Sequence, residues 1–89
     1  MNLNEQQLKA IEEMAKLFYS PEDIAINLEA DPDEFTELIA IHEGDIFKAY
    51  MKGWLASDME LRQSILQAAL NGSSPAQQMM KDFQKQAKL

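Results

Sequence analysis

Cysteine is absent from this 89-residue sequence, and proline and glycine occur only three times each. Without cysteine there is neither a disulfide nor a thiolate metal site, so a chain this short, which buries only about 60 to 65% of its unfolded surface, has self-association as its natural supplement. Long apolar runs are also missing. The longest unbroken one is Leu38 to Ile41, far below the roughly 20 residues that span a bilayer. The polar stretch Met1 to Lys9 lacks the basic-then-apolar order of a signal peptide, so the expectation is a soluble cytoplasmic protein without a membrane partner. There is one histidine, His42, and no glycine-rich phosphate loop. Nothing in the pattern supplies a nucleophile with its base or a set of spaced metal ligands. The sequence therefore reads as non-enzymatic, with no cofactor and no metal. The acids Asp31, Asp33, Glu34 and Glu37 lack the glycine that shapes a calcium loop, and they read as helix caps and a solvated face.

What the chain does have is helical punctuation. Each proline follows a capping residue, in Ser20-Pro21, Asp31-Pro32 and Ser74-Pro75. A proline at the first helical position loses no hydrogen bond, and the side-chain oxygen before it accepts from first-turn N–H groups. Asp23, Glu34 and Gln77 stand three residues after these caps, the last two matching a reciprocal capping box.

Between the marks the apolar period is helical, and the expected fold is all-α with about five helices. Leu8, Ile11, Ala15 and Phe18 predict a first helix over about 3–19. Ile24, Ala25 and Leu28 predict a second over 21–29, and Phe35, Leu38, Ile39 and His42 a third over 32–43, with His42 on its inner face and Gly44 ending it in the left-handed conformation. Asp45 is expected to cap a fourth helix running to about Leu70, and a fifth covers about 75–87. The expected organisation is a three-helix unit over 1–44, then a long helix plus a C-terminal helix over 45–89, in one compact domain.

The fourth helix is too long for the globule. Its twenty-five residues make about 37 Å, against a diameter of roughly 30 Å for a compact chain of this size. Two apolar stripes run along it, Phe47, Met51, Trp54, Leu61, Ile65, Ala68 and Ile46, Leu55, Met59, Leu66, Leu70. One serves the chain's own core and the other needs a partner. Oligomerisation is the expectation, with Met51, Trp54, Leu55 and Leu61 near the contact. Gly53 marks either a bend or a close approach by another backbone.

The net charge of −7 conceals two opposite halves. Residues 1–45 hold twelve carboxylates and two lysines, a net of −10, whereas residues 46–89 carry a net of +3. Helix, short turn, helix over Pro21 to Ile41 is the helix-turn-helix arrangement, with Glu29 where such motifs often place glycine and Asp31-Pro32 carrying the turn. The outward residues of its second helix, Asp33, Thr36, Glu37 and Ala40, offer no cation for DNA. Thr36 is the candidate for a base contact. Lys48 and Lys52, with Lys81, Lys85 and Lys88, are candidates for positioning phosphates.

The order Ser20-Pro21-Glu22-Asp23-Ile24-Ala25, then Ala49-Tyr50 with Gly53, Leu61-Arg62, Ala68-Ala69 with Gly72, and Ala76-Gln77 before Met79-Met80, resembles the small subunits of phage terminases over about residues 20–86. The resemblance implies a homeodomain-like helix-turn-helix that recognises viral double-stranded DNA and a helical region that forms homo-oligomeric rings. It further implies control of a large terminase subunit that supplies the packaging motor, in the cytoplasm of a bacterial host. The sequence departs from that pattern in its acidic recognition helix and its brevity. The alternative is an acidic all-helical adaptor or regulator that binds protein and makes no DNA contact.

Overall fold

The computed structural model describes residues 1–88, so Leu89, the last residue of the expected second segment, lies outside the described residues. Among them the chain forms five helices and no strand: α1 (Glu5–Lys16), α2 (Pro21–Asn27), α3 (Pro32–Ala40), α4 (Gly44–Leu70) and α5 (Ser74–Ala87). The all-α expectation holds, and α4 is the long helix.

Capping decides where the helices begin. The Ser20 hydroxyl accepts from the Asp23 N–H at 3.2 Å, and Asp31 Oδ1 accepts from the Asp33 and Glu34 N–H groups at 2.9 and 3.4 Å. Three starts differ from the sequence pattern. Helix α1 opens with a capping box that the pattern missed: Asn4 Oδ1 accepts from the Gln7 N–H at 2.8 Å, and Gln7 Oε1 accepts from the Asn4 N–H at 2.9 Å. In α5 the cap is Ser73 and not Ser74, its hydroxyl accepting from the Ala76 N–H at 3.4 Å. Gln77 is thereby displaced from the box position, and its Nε2 donates to the Ala69 carbonyl at 3.0 Å. Helix α4 starts at Gly44 itself, which places Asp45 inside the first turn, where a carboxylate favours the positive end of the dipole.

The helix ends share one device. Phe18, Glu29, His42 and Gly72 follow α1, α2, α3 and α4 with φ of 61°, 58°, 58° and 101°. After α1 the Tyr19 N–H donates to the Met14 carbonyl at 3.3 Å, after α2 the Ala30 N–H to the Ala25 carbonyl at 2.9 Å, and after α4 the Ser73 N–H to the Ala68 carbonyl at 3.1 Å. These are Schellman closures, which satisfy carbonyls that the helix leaves open. Helix α3 therefore stops at Ala40 and reverses at His42, ahead of Gly44. The α2–α3 turn is carried by Glu29 in the left-handed region as well as by the Asp31-Pro32 start of α3.

Contacts divide the chain within α4, into Met1–Ser57 and the residues from Asp58 onward, where the sequence pattern suggested a boundary after Gly44. In the first unit Phe35, Ile11 and Ile24 are fully buried, with Ala25, Ile39 and Ile46 completing the core and Leu8, Leu38 and Tyr50 packed at its edge. Helix α1 reaches α4 at Gly53, where an added Cβ would overlap the Glu12 carbonyl oxygen. Of the two readings of that glycine, close approach is the one realised, in an uninterrupted helix. The second unit is a helical hairpin whose buried residues are Ala69 and Ala76. Arg62 ties it together, its Nε 2.8 Å from Asp58 Oδ2 and its guanidinium 3.9 Å above the Phe83 ring.

Candidate nucleic-acid and assembly surfaces

Thr36 stands exposed on α3, as its spacing from the buried Phe35 and Ile39 requires. It lines a shallow groove with Glu22, Pro32, Asp33 and Glu37. Three acidic residues thus line the same groove as Thr36, and a phosphate approaching it meets like charge. Asp31, at the start of the same helix, already satisfies the first-turn N–H groups that would otherwise bind an anion.

The lysines of α4 have different surroundings. Lys48 is exposed on the first turns of the helix and makes no ion pair among the described residues. Lys52 Nζ lies 3.7 Å from Glu12 Oε1, and Glu12 Oε2 is also 3.8 Å from Lys16 Nζ. Part of the Lys52 charge is directed back onto α1, although its side chain remains 76% exposed. The two lysines therefore do not act as an equivalent pair. Screened contacts of this kind are weak individually, so Lys52 can exchange Glu12 for another anion.

The candidate assembly residues separate in the same way. Met51 and Trp54 are half-buried in the first unit. Trp54 meets Phe18 edge to face, with ring centroids 5.6 Å apart and planes at 75°, so its indole has an internal partner. Leu55 and Leu61 are exposed. The open surface of the second unit also includes Met59, Leu66 and Leu70, at 60%, 43% and 71% exposure. Met59, Leu66 and Leu70 belong with Leu55 to the second stripe of the sequence pattern. Stripe membership was readable from the period, but which members stay open was not, since Ile46 of the second stripe is buried and Leu61 of the first is exposed.

His42 is not on the inner face of α3. It follows the helix, exposed, with its ring stacked on Phe47 at 4.8 Å between centroids and 19° between planes. No three histidine, aspartate or glutamate side chains converge to hold a metal ion among the described residues. No described helix is long and apolar enough to cross a membrane. In comparisons with known proteins the chain matches no family model, no curated protein and no solved structure.

Proposed function

We propose that this chain is a non-enzymatic, homo-oligomeric DNA-binding protein of the phage small-terminase type, which holds double-stranded DNA for a large motor subunit. The observation that carries the reading is the succession of two parts. A helix, short turn and helix that put Ile24, Ala25 and Phe35 into a core shared with Ile11 and Ile46 are followed by a hairpin that leaves Met59, Leu66 and Leu70 uncovered. Contiguous exposed apolar surface of this kind marks an interaction site. The stripe contains no charged residue and Arg62 beside it is neutralised by Asp58, so a second copy can meet it without repulsion, as a self-complementary interface demands. Assembly then multiplies DNA contacts that are weak in a single copy.

The acidic groove around Thr36 favours a second reading, a protein-binding adaptor whose carboxylates Glu22, Asp33 and Glu37 face a basic partner. Two measurements separate them. Light scattering at tens of micromolar should give a multiple of the chain mass, and Met59→Gln with Leu66→Gln should reduce it to one chain. The assembled protein should shift a DNA duplex at about 50 mM salt and release it as salt rises. A wild-type monomer refutes the assembly half. An oligomer that ignores DNA at that salt refutes the nucleic-acid half and leaves the adaptor.

A further inference from the structure

We propose that α5, and not the second helix of the helix–turn–helix, is the principal phosphate-backbone contact. The inference rests on the nucleic-acid reading above and relocates its binding surface. Helix α5 is amphipathic in a specific way. Ala76 is buried, and Met80 and Phe83 are half-buried on its inner side. Lys81, Lys85 and Lys88, spaced four and three residues apart, are exposed on the opposite side. With Gln84 and Ala87 they line a shallow open depression.

These three lysines make no ion pair among the described residues, although Asp82 stands three residues before Lys85. Asp82 lies about 100° around the helix from Lys81 and about 60° from Lys85, and its Oδ1 accepts from Gln78 Nε2 at 3.0 Å. Asp58 holds Arg62. The first unit offers less. Lys16 is within ion-pair distance of Glu12 and Glu13, and Lys52 of Glu12. Residues 1–45 carry a net charge of −10, and a phosphate near α3 meets Glu22, Asp33 and Glu37.

Spacing completes the case. A rise of 1.5 Å per residue separates the Lys81 and Lys85 backbones by about 6 Å and Lys85 from Lys88 by about 4.5 Å along the axis. Phosphates of one strand advance by about 3.4 Å per nucleotide. Because the phosphates also wind around the duplex, three ammonium groups on flexible stems over about 10 Å of helix reach at most three consecutive phosphates. Gln84 beside them adds a neutral donor suited to phosphate oxygens. Neutralising three phosphates gives a salt slope near −2.7, or about a 40-fold loss of affinity between 50 and 200 mM salt.

The test compares Lys81→Gln/Lys85→Gln/Lys88→Gln with Lys48→Gln/Lys52→Gln in the full chain, using a mixed-sequence duplex of about 30 base pairs at 50 and 200 mM salt. The triple change should weaken binding at least about tenfold at the lower salt and lower the slope by about three. The double change should do less. Circular dichroism and light scattering should match wild type, because the substituted side chains are exposed, and the corresponding triple arginine variant should bind the duplex as wild type does. A triple glutamine variant that binds like wild type overturns the proposal while leaving the DNA reading in place. A wild-type oligomer with no affinity for the duplex overturns both. Equal competition by poly-glutamate of matched charge assigns the face to an acidic protein and overturns the proposal.

Discussion

At position 53 the backbone of α1 leaves room for a hydrogen and nothing larger. A Cβ there would overlap the Glu12 carbonyl oxygen and stand 2.9 Å from its carbon and 3.0 Å from Ala15 Cβ. Two of these atoms are backbone, so the neighbour cannot yield by turning a side chain. Alanine improves helix propensity by about 1 kcal/mol at an interior glycine, but forcing two packed helices apart costs about 3 kcal/mol. Gly53→Ala should therefore lower the urea midpoint substantially. Gly44→Ala should cost only about 1 to 2 kcal/mol through its φ of 88°, since nothing lies within 4 Å of that Cβ. A Gly53→Ala variant as stable as wild type, or more stable, would remove the close-approach account. The sequence pattern admitted both a bend and a close approach at Gly53, because the deciding atoms belong to a different helix. His42 is the matching case on the polar side. Its spacing from Phe35 fits the apolar face of α3, yet α3 ends at Ala40 and the imidazole stacks on Phe47.

The starts of α2 and α3 and the ends of α4 and α5 were legible, whereas the ends of α1, α2 and α3 were not. Ser20 and Asp31 cap as their spacing predicts, because a cap, its proline and its first-turn N–H groups are all local. The sequence pattern assigned the last cap to Ser74, next to Pro75, and the Schellman closure of α4 places it one residue earlier, at Ser73. The ends of α1, α2 and α3 use Phe18, Glu29 and His42 at positive φ, where the recognisable signal is glycine. Glu29 is exposed, so replacing it removes no core contact. Glu29→Gly relieves a left-handed conformation worth about 1 to 2 kcal/mol and gives back about 0.5 to 1 kcal/mol in unfolded-chain entropy. The variant should be more stable by up to about 1 kcal/mol, read as a higher urea midpoint at unchanged slope. A destabilised variant would mean that the Glu29 side chain contributes more than its conformation costs.

For the whole molecule the burial is uneven. Phe35, Ile11 and Ile24 are fully enclosed in the first unit, while the second buries Ala69 and Ala76 and leaves Met59, Leu61, Leu66, Leu70 and Met79 exposed. A hairpin with so little enclosed surface has little stability of its own. Native-state hydrogen exchange should accordingly show the amides of Ile11, Ile24 and Phe35 well protected at every protein concentration. Protection around Ala69 and Ala76 should rise with concentration as copies cover the stripe. Concentration-independent protection in the hairpin would contradict assembly through that surface.

The sequence by itself determined the all-α class, the number of helices, two of their starts and the two stripes of α4. It also determined the opposite charge of the two halves. All of these follow from the order of residues along one segment, since helical period, capping and charge balance need no distant neighbour. The tertiary structure decided that Gly53 admits α1, that Trp54 meets Phe18, that Lys52 faces Glu12, and that Met59, Leu66 and Leu70 remain open. Each depends on where one helix lies against another, which periodicity within a single helix does not encode. An apolar stripe specifies that something must cover it, and only packed neighbours specify which of its residues are already covered.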